Sequence, residues 1–352
     1  TVTGTVFLSA FTTKLAVYAL ARAFAGTEIL IWIGATMTVF PIFYAVIEND
    51  LRRVLAYSLN NQLGFMVVGI GVGTQLALNG TVAHAFAHIL YKALLFMSMG
   101  AVLYRTGTIQ ASKLGGLYKS MPFTAICCIV GALSISAFPL FSGFVSKSMI
   151  LSAAADQHYA LISIVLLFAS TGVLEHSGIK IPFFAFFAHD SGIRCKEAPW
   201  NMLVAMGITA ALCILIGVFP QPLYDILPYD VEYHAYTTMH VVAQLQLLLW
   251  AALAFVFLIR TGLYPAETPS VNLDTDWTYR RALPSLTAAC MGFLRRGKVQ
   301  LVWVWRGELR ALLRGVYREA GPSGIFARTW PTGGTVLWVA LILCAFLILF
   351  YL

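Results

Sequence analysis

Between Ala83 and Phe96 the chain reads AHAFAHILYKALLF, an apolar run that sets His84, His88 and Lys92 four residues apart. On a helix this spacing lets the three side chains drift slowly around one face, over roughly 12 Å of axis. Similar groups recur elsewhere in apolar surroundings. Lys14 lies near the middle of TVFLSAFTTKLAVYALARAF, and Lys147, with Ser146 beside it, follows the breaker in FPLFSGFVSKSMIL. Glu175, His176 and Lys180 share TGVLEHSGIKIPFF. Lysine and histidine in apolar surroundings suit proton transfer, because buried amines release protons more readily than solvated ones and imidazole titrates near neutrality. Each such group costs ~2.5–3.5 kcal/mol at membrane depth and faces a protein interior or a hydrated path. Taken singly, the histidines fit satisfied core residues and Lys92 a snorkelling amine; three on one stripe favour a proton path.

The elements that must position them follow from composition. Of 352 residues, 59% are hydrophobic and only 11% charged. The apolar runs are continuous and about 20 residues long, so the spans are helices rather than barrel strands. The expected fold is all-α, a polytopic transmembrane helix bundle with about nine spans. They fall near 5–24, 29–48, 54–76, 79–104, 122–152, 158–188, 200–219, 236–259 and 333–352. Net charge is +8, and its distribution is a topology signal rather than a nucleic-acid footprint. Inner connections hold Arg52, Arg53, Arg105, Lys113, Lys119, Arg194, Lys196 and the basic residues from Arg260 to Arg328; the outer ones hold Arg22 beside Asp156, Asp225, Asp230 and Glu232. The opening TVTGTVFLSAFTTK lacks the basic n-region of a signal peptide and reads as a chain entered partway through. The six cysteines show no CxxC spacing and read as free thiols; no haem, iron–sulfur or other metal ligand set is visible, and no cofactor is expected.

In chain order, Lys14 is about ten residues from either end of its span, too far to snorkel easily, with Thr12 and Thr13 able to solvate a partner. In ENDLRRVLAYSLNNQLGF, Arg52 and Arg53 read as an interfacial clamp with Glu48 and Asp50 as local partners. Ser58, Asn60, Asn61 and Gln62 make a polar entrance, serving either interhelical hydrogen bonds or a hydrated mouth. The span MPFTAICCIVGALSISAFPLFSGFVSKSMIL is too long for one crossing, and Pro139 and Gly143 predict a broken helix with serine cover and Lys147 just beyond. Glu175, His176 and Lys180 admit two readings, a structural ion pair or a relay. In the inner loop, Asp274 and Asp276 lack the turn glycine and distal glutamate of a calcium loop. Arg306, Arg310, Arg314 and Arg318 opposite Leu309, Leu312, Leu313 and Val316 predict an interfacial helix.

VIENDLRRVLAYSLNNQLGFM, AHAFAHILYKALLFMSMG, KLGGLYKSMP and FPLFSGFVSKSMIL, in this order, resemble the antiporter-like membrane subunits. These are the proton-pumping subunits of respiratory complex I and their relatives in Mrp-type sodium/proton antiporters. The resemblance covers residues 1 to about 220, and HSGIKIPFFAFF points towards the Mrp-type D subunit. It implies two inverted five-helix repeats, each with a broken helix and a buried lysine, joined by a hydrophilic axis. Only one such repeat is expected here, with its break around Pro139–Gly143; the first repeat has no counterpart, as in a fragment or a half completed by another chain. The implied organisation is a linking helix over 1–28, the repeat over 29–190, two further spans over 191–260, a cytoplasmic loop with its amphipathic helix over 261–332, and a last span over 333–352. Lys14 resembles the residue linking the two half-channels, Lys92 with His84 and His88 the central relay, and Lys147 the terminal lysine. Glu175, His176, Lys180 and Ser146 are accessory candidates.

The expected function is therefore proton conduction within a multi-subunit monovalent cation (sodium)/proton antiporter in a bacterial inner membrane. The expected partners are other membrane subunits, protons, sodium and lipid, with no nucleic acid. The chain is expected not to be an enzyme itself; redox chemistry would belong to partners if it pumps in an NADH-quinone oxidoreductase or hydrogenase complex. A degenerate half acting as a scaffold is the third reading.

Overall fold

The computed structural model describes residues 2–264, 267–269, 272–273, 277–297, 302–325, 327 and 331–351. All regular elements among them are helical. Asp274 and Asp276 lie outside the described residues, as does the side chain of Arg306.

The first compact unit runs from Thr1 to Asn272. It contains α1 (Val2–Phe24), α2 (Ile29–Ile47), α3 (Leu51–Val72), α4 (Gln75–Thr106), α5 (Pro122–Ile135), α6 (Ser142–Asp156), α7 (Ala160–Phe187), α8 (Trp200–Val218) and α9 (Thr238–Thr261). Local chemistry sets the ends. The Asp50 carboxylate caps α3 by accepting from the Arg52 and Arg53 amides, and Thr74 caps α4 by accepting from Ala77 N. Gly73 and Gly107 close the same helices at φ 71° and 72°, a left-handed conformation that glycine adopts freely. Asp50 thus meets Arg52 and Arg53 through their backbone amides.

Among the described residues, seven helices are long and apolar enough to cross a membrane: α1, α2, α4, α7, α8, α9 and a last helix in the second unit. The expected third span is the 22-residue α3, whose buried face carries Ser58, Asn61 and Gln62. The expected fifth span is two helices. Residues 136–141 interrupt it, with Ala137 at φ 56° and Leu140 at φ 75° on either side of Pro139. Here α6 restarts so close to α5 that a Cβ on Gly143 would lie 1.8 Å from Ser134 O.

Helices α2 and α3 form the tightest pair, because glycines let their backbones meet. A methyl on Gly64 would stand 2.6 Å from Gly34 O. Helix α4 is central and packs against α1, α3, α5, α6 and α8. Outward faces carry large apolar side chains such as Leu15, Phe40, Ile164 and Trp250, as lipid contact requires.

The second unit, Leu273–Leu352, contains α10 (Leu283–Gly297), α11 (Val302–Ala320) and α12 (Thr332–Tyr351). Arg310, Arg314 and Arg318 follow one another at four-residue steps along α11, and Leu309, Leu312, Leu313 and Val316 are all exposed.

Candidate functional site: a buried polar axis

The stripe on α4 is interior. His84, His88 and Lys92 are each 0% exposed. His84 Nε2 lies 3.2 Å from Gln62 Oε1 on α3, and His84 Nδ1 lies 3.2 Å from Ser146 Oγ on α6. Tyr91, nearly two turns along α4, donates its hydroxyl to Gln62 Oε1 at 3.1 Å and lies 3.3 Å from His84 Nε2. Gln62 is oriented in turn, since its amide nitrogen donates to Asn61 Oδ1 at 2.7 Å, and Asn61 Nδ2 donates to the Thr38 carbonyl on α2. Three helices therefore fix one imidazole. Asn61 and Gln62 serve interhelical hydrogen bonds, the first of the two readings of that polar segment, for these two residues.

His88 meets Tyr91 edge-on, ring centroids 5.2 Å apart, and His84 at 6.3 Å. Neither nitrogen of His88 nor the Lys92 Nζ has a hydrogen-bond partner among the described residues; the Lys92 amine stands 5.9 Å from the Phe96 ring centroid.

The helix break supplies the next station. Interrupting α5 leaves its last carbonyls without intrahelical donors, at the partially negative end of the helix dipole. Lys147 Nζ donates to one of them, Ile135 O, at 3.0 Å and sits 5.0 Å from the Phe65 ring centroid. Ser146 donates to Ser142 O at 2.9 Å, and the Ser142 and Ser134 hydroxyls pair across the break at 2.8 Å. On α1 a π-helical segment, Leu8–Thr12, precedes Lys14. The Lys14 amine donates to Ser9 O at 2.9 Å and Thr13 Oγ1 at 3.2 Å, and it lies within electrostatic reach of His84, His88 and Lys92.

The accessory candidates separate. His176 is fully buried in a second π-helical segment, Leu174–Ile179. Its Nδ1 lies 2.8 Å from Ser177 Oγ, its Nε2 has no partner among the described residues, and it is within electrostatic reach of Lys92, Lys147 and Lys180. Lys180 has its ion pair with Glu267, at 2.8 Å; Glu175 is half-buried and acts on Lys180 through its charge. Lys180 also donates to Val46 O and Glu48 O at 2.6 and 2.8 Å. Glu48 is buried, accepting from Asn272 Nδ2 at 3.1 Å and Asp50 N at 3.0 Å, and so joins this cluster. In the loop, burial raises the Glu267 carboxyl above the usual carboxylate range while Lys180 pulls it back. Further out, Arg194 and Lys119 hold Asp190 well below that range.

Sequence reasoning did not single out Tyr91 or Glu267. Tyr91 shares the apolar run with the stripe, seven residues from His84, and that spacing is its signal; Glu267, in a proline-rich loop, carries none. No cluster of three or more metal-ligating side chains occurs among the described residues.

Residues 1–175 match the family model for the transmembrane region of NADH:quinone oxidoreductase and Mrp antiporter subunits. The chain is 34% identical over 228 residues to the D subunit of the Na(+)/H(+) antiporter of Alkalihalophilus pseudofirmus, covering 60% of this chain and 45% of that protein. It is 32% identical over 235 residues to NADH-ubiquinone oxidoreductase chain 5 of Dictyostelium citrinum, covering 63% and 34%. The fold resembles a chain of the membrane-bound sulfane sulfur reductase, an archaeal respiratory membrane complex, with a TM-score of 0.61 at 20% identity over 98% of this chain and 62% of that one. The matched region spans less than half the length of both relatives. Taken with the helical fold and the buried lysine–histidine axis, the match places this chain in the NADH:quinone oxidoreductase/Mrp antiporter family of membrane proteins.

Proposed function

We propose that this chain conducts protons as a membrane subunit of a multi-subunit sodium/proton antiporter. The order of transfer runs along Lys14, His84 and His88, Lys92 and Lys147. One observation carries the reading: His88 and Lys92 are fully buried and lack protein partners among the described residues, between groups that are themselves held in place. Buried polar groups are satisfied by protein or by ordered water, and water between these stations supplies the transfer path. Charge on one station biases the next electrostatically, because the low dielectric around them screens little. Lys147 adds a structural coupling, since the amine that carries the proton also donates to Ile135 O at the carboxyl end of α5, a bond that strengthens when the amine is charged.

The likeness to the Na(+)/H(+) antiporter protein supports sodium as the exchanged ion and neighbouring antiporter subunits as partners. The likeness to chain 5 of NADH-ubiquinone oxidoreductase supports a second reading, in which the same path is driven by redox chemistry in partner chains. In the assembled complex in inverted vesicles, Lys92→Ala is expected to abolish proton flux, followed by a pH-sensitive dye, while assembly on native gels is unchanged. Wild-type flux in that variant defeats the relay. Flux driven by an imposed sodium gradient without any quinone reductant supports the antiporter reading, and flux that requires the reductant supports the other.

A further inference from the structure

The relay leaves one branch of the axis unused. Lys180 Nζ sits among three oxygens, Val46 O, Glu48 O and Glu267 Oε1, at 2.6, 2.8 and 2.8 Å. The two side chains of the ion pair are 0% and 7% exposed. A buried pair of this kind seldom adds net stability over an apolar replacement, so packing alone is a weak reason for it. Its surroundings give a better one. On one side Glu267 lines a cavity of about 330 Å³ together with Ser112, His189 and Tyr264. Ser112 and His189 belong to the connections that carry Lys113, Lys119 and Arg194, the basic face of the chain. On the other side, four residues back along α7, is His176, whose orphaned Nε2 is within electrostatic reach of Lys92 and Lys147.

We propose that Glu267 is a proton port on the basic, inner face, taking protons from the cavity and passing them through Lys180 and His176 into the axis. This rests on the relay reading. Each transfer is a plain proton exchange: from the resting ion pair, Lys180 passes one proton through water to His176, and the Glu267 carboxylate then gains an O–H from hydronium in the cavity and yields that proton to the now neutral Lys180 amine. The ion pair is thereby restored, and once His176 hands its proton on into the axis every group has its starting charge. The groups facing Glu267 are Lys180 and Glu175 from α7, Glu48 from the end of α2, Tyr264 from its own loop, and His189 across the cavity. Burial moves the Glu267 carboxyl towards neutrality from the range of a solvated acid, which suits an acceptor that must also release.

The test uses the full chain in its complex, in inverted vesicles with the inner face outward. Glu267→Gln is expected to slow proton flux by more than about tenfold and to alter the acid limb of its pH profile, with Glu267→Asp restoring most of the flux. Ile259→Cys, half-buried on the wall of the same cavity, should behave as wild type until a membrane-impermeant thiol reagent is added, whereupon flux falls by a similar factor and a reductant restores it; the wild-type chain treated alike is the control. A purely structural ion pair lowers the yield of complex without moving the pH profile, and a plug in the cavity would leave its flux unchanged. Wild-type flux and pH profile in Glu267→Gln, or full flux after the introduced thiol is modified, overturns the port. Measured beside them, Lys92→Ala separates the two ideas. Flux lost there but kept in Glu267→Gln removes the port and leaves the relay, whereas flux kept in Lys92→Ala removes both.

Discussion

Gly64→Ala places one methyl group where α3 lies closest to α2. The new Cβ would stand 2.6 Å from Gly34 O and 2.7 Å from Thr38 N. Both are backbone atoms and cannot rotate aside, so the helices must part by about 0.8 Å to regain contact near 3.4 Å. A gap of ~0.5–1 Å forfeits a quarter to a half of each dispersion contact along the seam, and overpacking of this kind costs about 1–3 kcal/mol. The site would feel it too. Thr38 O holds Asn61, Asn61 orients Gln62, and Gln62 Oε1 is already 3.2 Å from His84 Nε2. A shift of a few tenths of an ångström takes that bond beyond useful range. Unfolding in mixed micelles, titrated with a denaturing detergent, should therefore read a loss of about 1–3 kcal/mol, and vesicle flux should fall in the same variant. Gly207→Ala is the control: nothing lies within 4 Å of its added methyl, so helix propensity should make it neutral or up to ~1 kcal/mol stabilising. Gly64→Ala as stable and as active as wild type would refute both the close seam and its link to His84.

Lys180→Met should destabilise by about 3–5 kcal/mol, because it leaves the Glu267 carboxylate buried and unpaired. Most of that should return in Lys180→Met/Glu267→Leu, as the same unfolding titration can measure. Glu267 has a folded-state pKa above its unfolded value, so its protonated form favours the folded state; the defect of the single variant should ease as pH falls towards the carboxylate range and deepen as pH rises. Gly143→Ala cannot be accommodated with a Cβ 1.8 Å from Ser134 O, so a loss of about 3 kcal/mol or more is expected, with flux lost as Lys147 leaves Ile135 O.

The stripe on α4 was legible because ionisable side chains in an apolar run have few ordinary explanations, and the break was legible because proline removes a backbone donor. Which polar residues join the site was not. Ser58, Asn60, Asn61 and Gln62 look alike in sequence, and only the rotation of α3 against α2, set by Gly34 and Gly64, decides that Gln62 meets His84. Tyr91 has the composition of an ordinary core aromatic. Glu267 stands 87 residues after Lys180 in an irregular loop, and no periodicity connects the two. How Asp50 meets Arg52 and Arg53 was hidden for a related reason: adjacency suggests a partnership without its atoms, and Asp50 at a helix start accepts from the free amides.

Helix α4 has a consequence for the bilayer itself. Its 32 residues extend ~48 Å, well beyond a hydrocarbon layer of ~30 Å. Near its start Asn79 exchanges hydrogen bonds with Tyr229 at 2.9 and 3.1 Å, and near its end Arg105 donates to Glu197 O at 2.8 Å. Lys92 is thirteen residues from each tie, ~20 Å along the axis in either direction. The helix is moored at both shores, so it cannot slide to match a thinner or thicker membrane. Mismatch must be taken up by lipid deformation or by tilting of the whole bundle, and the depth of Lys92 is set by the protein's own ruler.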